Sequence, residues 1–89
     1  MSRYTHSIDL PEATDLAGIT LPAGTYETAA GCDPICGWFV QVFNPADEGP
    51  ELLLDRDTLS HGLTWAQLQT ILTRLRWTRR HIRQVLLRR

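Results

Sequence analysis

The sequence predicts an α+β fold: a small antiparallel sheet of about four strands, followed by a C-terminal helix or helix pair packed on one face. Three observations carry this reading. Extended segments with β-forming residues fill the first part of the chain, separated by Pro, Gly and Asn turn signals. From residue 64 the apolar spacing becomes helical, and no Gly or Pro interrupts it through residue 89. Charge divides at the same boundary. Residues 1–57 hold two arginines and all ten acids, a net of −8, while residues 58–89 hold seven arginines and no acid, a net of +7. The formal net charge of −1 therefore conceals two segments of opposite sign. At 89 residues the chain is read as a single domain, 1–89, with an acidic, strand-rich part (1–57) and an Arg-rich helical part (64–89).

Taken in order, residues 3–10 place Tyr4, His6, Ile8 and Leu10 on one side of an extended chain. That alternation of two predicts a strand with one buried face, ended by Pro11. Ile19-Thr20-Leu21 reads as a short strand, Pro22-Ala23-Gly24 as a turn, and Thr25–Thr28 as the next strand. Asp-Pro and two glycines make residues 31–37 a loop. Trp38-Phe39-Val40-Gln41-Val42-Phe43 is apolar on both faces, which predicts a central strand. Residues 44–50 form a polar turn, and Glu51–Asp55 pairs back to complete a hairpin.

Thr64 is a good N-cap for a helix whose apolar residues Trp65, Leu68, Ile71, Leu72 and Leu75 follow at helical spacing; Ile82, Val85 and Leu86 repeat it. One unbroken helix of this length would measure about 37 Å, against a radius of gyration of about 12 Å for so short a domain. Thr78 is a second N-cap, so the reading favours a break near Arg76–Thr78.

Little in the chain points to catalysis. Cys32 and Cys36 are spaced C-x-x-x-C rather than C-x-x-C, and His6, His61 and His81 are scattered. Two thiols in a loop is the plainer reading, ahead of a disulfide or a metal site. Asp33 beside Cys32 disfavours a reactive thiolate. Asp55 and Asp57 bracket Arg56, but a charged strand end accounts for them as well as acid–base work does. Phosphate-loop, nucleophile-elbow and zincin motifs are absent. The expectation is no enzyme, no cofactor and no metal.

The arginines are the strongest candidate for a contact surface. On a helix, Arg76, Arg79, Arg80 and Arg83 span about 100° beside the apolar face, with Trp77 among them. Such a stripe would grip carboxylates of a protein partner, contact phosphates, or form a solvated face partly neutralised by the chain's own acids. Asp47, Glu48, Glu51, Asp55 and Asp57 form an alternative, acidic face. "TWAQLQTILTRLRWTRRHIRQVL" resembles the first two helices of a helix-turn-helix. That resemblance implies a nucleic-acid-binding regulator, with Arg79, Arg80 and Arg83 on the reading helix. The first expectation is instead a non-catalytic interaction protein that binds and inhibits or regulates a larger partner. In size and style it is similar to phage and plasmid accessory proteins such as anti-restriction and anti-CRISPR inhibitors. The complementary charges also allow a homodimer. No apolar run approaches bilayer length, and the N-terminal residues carry early acids without an apolar core, so a cytoplasmic protein is expected.

Overall fold

The alternation in the first strand sets the architecture. In the computed structural model, which describes residues 2–45 and 48–87, β1 (Ser2–Leu10) turns Tyr4, His6, Ile8 and Leu10 inward and leaves Arg3, Thr5, Ser7 and Asp9 exposed. It pairs antiparallel with β4 (Gly24–Asp33), setting Tyr4 opposite Ala30, His6 opposite Thr28 and Ile8 opposite Tyr26. β5 (Gly37–Asn44) and β6 (Glu51–Asp57) follow, giving a four-stranded antiparallel sheet in the order β1-β4-β5-β6. Between β1 and β4 the chain inserts a separate hairpin, β2 (Thr14–Leu16) and β3 (Ile19–Leu21), closed by Ala17 and Gly18. Both turn residues have positive φ, 44° and 89°, as tight two-residue hairpin turns require.

β5 is the central strand its composition predicts. Val40 and Val42 are fully buried on the helix side, while Phe39 and Phe43 lie on the other face. β4 is far longer than residues 25–28, and it absorbs Gly31–Asp33 from the expected loop. Ala29, Ala30 and Gly31 are weak β-formers, but pairing on both sides holds them extended. Gly31 is required by close approach: a Cβ there would lie 2.0 Å from the backbone oxygen of Ser2. The turn shrinks to Pro34–Cys36, where the Asp33 carboxylate accepts the Ile35 N–H at 2.7 Å.

Two helices pack on the sheet's even-numbered face. α1 (Trp65–Arg74) begins with a full capping box: Thr64 Oγ1 accepts from Gln67 N at 3.1 Å, and Gln67 Oε1 accepts from Thr64 N at 2.9 Å. It buries Leu68, Ile71 and Leu72 against the sheet. α2 (Arg79–Leu87) starts at Thr78, whose hydroxyl accepts the His81 N–H at 3.1 Å, and it buries Val85. The break falls where the second cap predicts it. Leu75 caps α1, then Arg76 N donates to Thr73 O and Trp77 N to Leu72 O, both at 3.0 Å. This is a Schellman motif, and its left-handed position is Arg76, at φ 65°.

A Cβ in that conformation is unfavourable, and glycine relieves it. Replacing Arg76 with Gly is therefore expected to raise stability by about 1 kcal/mol. A urea midpoint no higher than wild type would refute that account of the turn.

Candidate functional site

The apolar spacing of α2 decides where its arginines point. With Val85 turned into the core, Arg79 and Arg83, one turn apart, lie along the flank facing α1. There they line an open groove of about 410 Å³, whose other walls are Gln69 and Thr73 of α1 and Ile82 and Leu86 of α2. Arg80 is exposed and lies about 100° further round the helix. Arg76 is exposed too, but it belongs to the linker rather than to the helical stripe. Trp77 is removed from the contact surface altogether. It is 5% exposed, because the Schellman turn swings it beneath the helices.

Trp77 instead ties the helix pair to the sheet. Its indole Nε1 donates to Thr28 Oγ1 at 2.8 Å, and that hydroxyl donates to the His6 carbonyl at 2.7 Å. The His6 ring meets Trp77 edge-on, at 4.6 Å between centroids, and stacks on His81 of α2 at 3.7 Å. His6 Nε2 is buried without a hydrogen-bond partner. Burial, with His81 adding to it, holds the His6 pKa below the ordinary 6.5.

Strand alternation gathers carboxylates of the main sheet on one face. Pairing puts Asp9, Glu27, Asp55 and Asp57 at odd positions, on the sheet face turned away from the helices. Glu48 and Glu51 are exposed, Asp55 is half-buried, and Asp47 lies outside the described residues. Asp57 is not a surface acid. It is 6% exposed and accepts the backbone N–H groups of Ser60 and His61. Burial alone would raise its pKa, but these bonds and His61, at 3.6 Å, hold it below the usual carboxylate value. That His61–Asp57 contact is the only ion pair among the described residues, so none of their arginines is matched by a carboxylate within 4.0 Å. Arg74 instead donates to the Asp15 carbonyl in β2 at 3.3 Å, and Arg56 to that of Ala17 in the β2–β3 turn at 3.3 Å.

The face away from the helices is a feature that residue counting missed, although the odd positions of the strands spell it out. Phe39 lies there beneath Arg3, whose guanidinium stands 5.7 Å from the ring centre and donates to Gln41 at 2.9 Å. A second missed feature is a set of exposed apolar residues: Ile35 and Leu59, in neighbouring turns joined by the Leu59 N–H to the Cys36 carbonyl, and Trp65, packed on Trp38. Cys32 and Cys36 are free thiols. Burial, then the charges of Asp33, Asp57 and Asp55, push the Cys36 pKa up, which disfavours a nucleophilic thiolate. Among the described residues, no three His, Cys, Asp or Glu side chains gather to hold a metal ion. No described helix is long and apolar enough to cross a membrane.

These features define the molecule as an α+β domain with a helix pair on one sheet face and carboxylates of the main strands on the other. Compared with protein-family models, curated proteins and solved structures, the chain finds no match.

The His6 environment gives a pH dependence of definite sign. The folded pKa lies below the unfolded one, so the unfolded chain binds the extra proton. Stability is then full above about pH 7 and declines as pH falls through about 6.5 toward the lowered folded value. Urea midpoints measured across this range should drop for wild type and flatten in His6→Gln; equal slopes in the two proteins would rule His6 out.

Proposed function

We propose that this chain is a small non-catalytic binding module that recognises a larger protein partner through α2, and inhibits or regulates that partner. The observation that carries the reading is the state of Arg79 and Arg83. Both stand exposed, with no carboxylate of the described chain within 4.0 Å, and both border a groove floored in part by Ile82 and Leu86. An acidic segment with apolar residues at helical or extended spacing suits that combination. Its carboxylates would meet the planar guanidinium groups, and its apolar side chains would enter the groove. Arg80 would extend the contact outward, and Arg76 would add positive charge at the corner. A net charge of −1 supplies little long-range attraction to nucleic acid, which weighs towards protein. The small size and paired charged surfaces suit an accessory inhibitor of the kind mobile genetic elements carry. Cys32 and Cys36, which form no disulfide, are in keeping with a cytoplasmic setting.

Affinity capture from lysate tests the reading, with nuclease present and absent, using wild type and Arg79→Glu/Arg83→Glu. A protein that survives nuclease treatment, is held by wild type and is lost from the double variant is the expected result. Both positions are exposed, so thermal stability should change by no more than about 0.5 kcal/mol. Recovery of nucleic acid with no protein, or equal capture by both forms, overturns the proposal.

A further inference from the structure

The proposed partner surface leaves one long feature of the sheet unused. β1 is an edge strand, and among the described residues no strand pairs with it on the side opposite β4. A free edge presents unpaired backbone N–H and C=O groups, and proteins blunt it with charged side chains, proline, a bulge or a short strand. β1 carries two charges of opposite sign, Arg3 and Asp9, which an antiparallel copy would match rather than repel. The other devices are absent from β1. It runs nine residues, contains no Pro, Gly or Lys, and keeps unbroken register with β4. The opposite edge is different. β6 carries a register irregularity opposite Val42/Phe43, and an antiparallel copy centred on Leu54 would set Glu51 against Asp57.

We propose that β1 pairs with β1 of a second copy of this chain, antiparallel and centred on His6, to form a two-fold symmetric dimer. In that register every residue of the strand finds a counterpart. On the face away from the helices, Arg3 meets Asp9 of the copy and Thr5 meets Ser7. On the helix side, Tyr4 meets Ile8 and His6 meets His6. Opposite charges and an aromatic–β-branched pair are favoured cross-strand neighbours. The symmetry repeats each contact twice, as an isologous interface demands. Arg3 and Asp9 are exposed and meet no opposite charge among the described residues. Arg3 lies over Phe39 and on Gln41, contacts it would exchange for Asp9 of the copy, and Asp9 holds the Thr25 hydroxyl. The paired sheets would be continuous, with both helix pairs on the same face, so the two Arg79/Arg83 grooves would open on one side of the dimer.

Sedimentation velocity on the full chain, from micromolar to millimolar concentration, tests this directly. Wild type is expected to pass from the mass of one chain to that of two. Arg3→Asp and Asp9→Arg each create two like-charged pairs, and each should weaken dimerisation at least about tenfold. The double reversal, Arg3→Asp/Asp9→Arg, restores opposite charges and should recover wild-type affinity to within about threefold. A single-chain mass at every concentration, single reversals without effect, or a double reversal without recovery would each overturn the proposal. Amide exchange gives a readout on the unaltered chain. Exchange at alternate residues of β1 should slow as concentration rises, and exchange independent of concentration would exclude pairing at this edge.

Discussion

The hydroxyl of Thr28 is the point on which the two layers of this molecule are registered. It is buried in the sheet, accepts the Trp77 indole N–H and donates to the carbonyl of His6. Leu68, Ile71, Leu72, Leu75 and Val85 bring apolar contact between the layers, but such contact is non-directional and tolerates sliding. Two buried hydrogen bonds through one oxygen do not, because a misplaced indole would leave polar groups unpaired in a low-dielectric interior. With Trp77 fixed, the linker is fixed. The start of α2, the stack of His81 on His6 and the direction of the arginines follow from it.

Charge segregation arises from a simpler rule. Successive residues of a strand face opposite sides. Placing Asp9, Glu27, Asp55 and Asp57 at odd positions sends them away from helices that pack on the even ones. Nearly balanced charge is thus left largely unpaired: among the described residues only His61 and Asp57 form an ion pair. Arg56 shows the same rule within a single strand. Its two acidic neighbours turn to the far face, and it turns inward beneath the β2–β3 hairpin.

Much of the fold was legible because its signals are local. The alternation of residues 4–10, the doubly apolar run 38–43, the Thr64 cap and the second cap at Thr78 each identify an element without knowledge of its neighbours. The length of β4 was hidden, since Ala29, Ala30 and Gly31 are held extended by strands distant in sequence. The insertion of the β2–β3 hairpin outside the main sheet depends on pairing that no local pattern encodes. Arg79 and Arg83 could be placed one helical turn apart from spacing alone. Trp77 could not, because helical periodicity was extended through residues that form a turn. A Schellman motif commonly sets an apolar residue at the position after its left-handed one, against the last turn of the helix; that was the available clue. Asp57 does not behave as a surface charge because its partners are backbone groups of the following turn, which a count of charges does not register.

The hairpin inserted between β1 and β4 also bears on the order of assembly. β4, β5 and β6 are joined by short turns and can zip together locally. β1 must close a loop that contains a structured hairpin before it reaches β4, and it then needs α2 above it to seat His6. Loop-closure entropy makes such a strand late to dock and, by the same reasoning, early to detach. β1 is thus the natural cooperative unit of partial unfolding. Its departure would remove the His6 carbonyl that accepts the Thr28 hydroxyl and turn the core of the sheet into an open seam along β4.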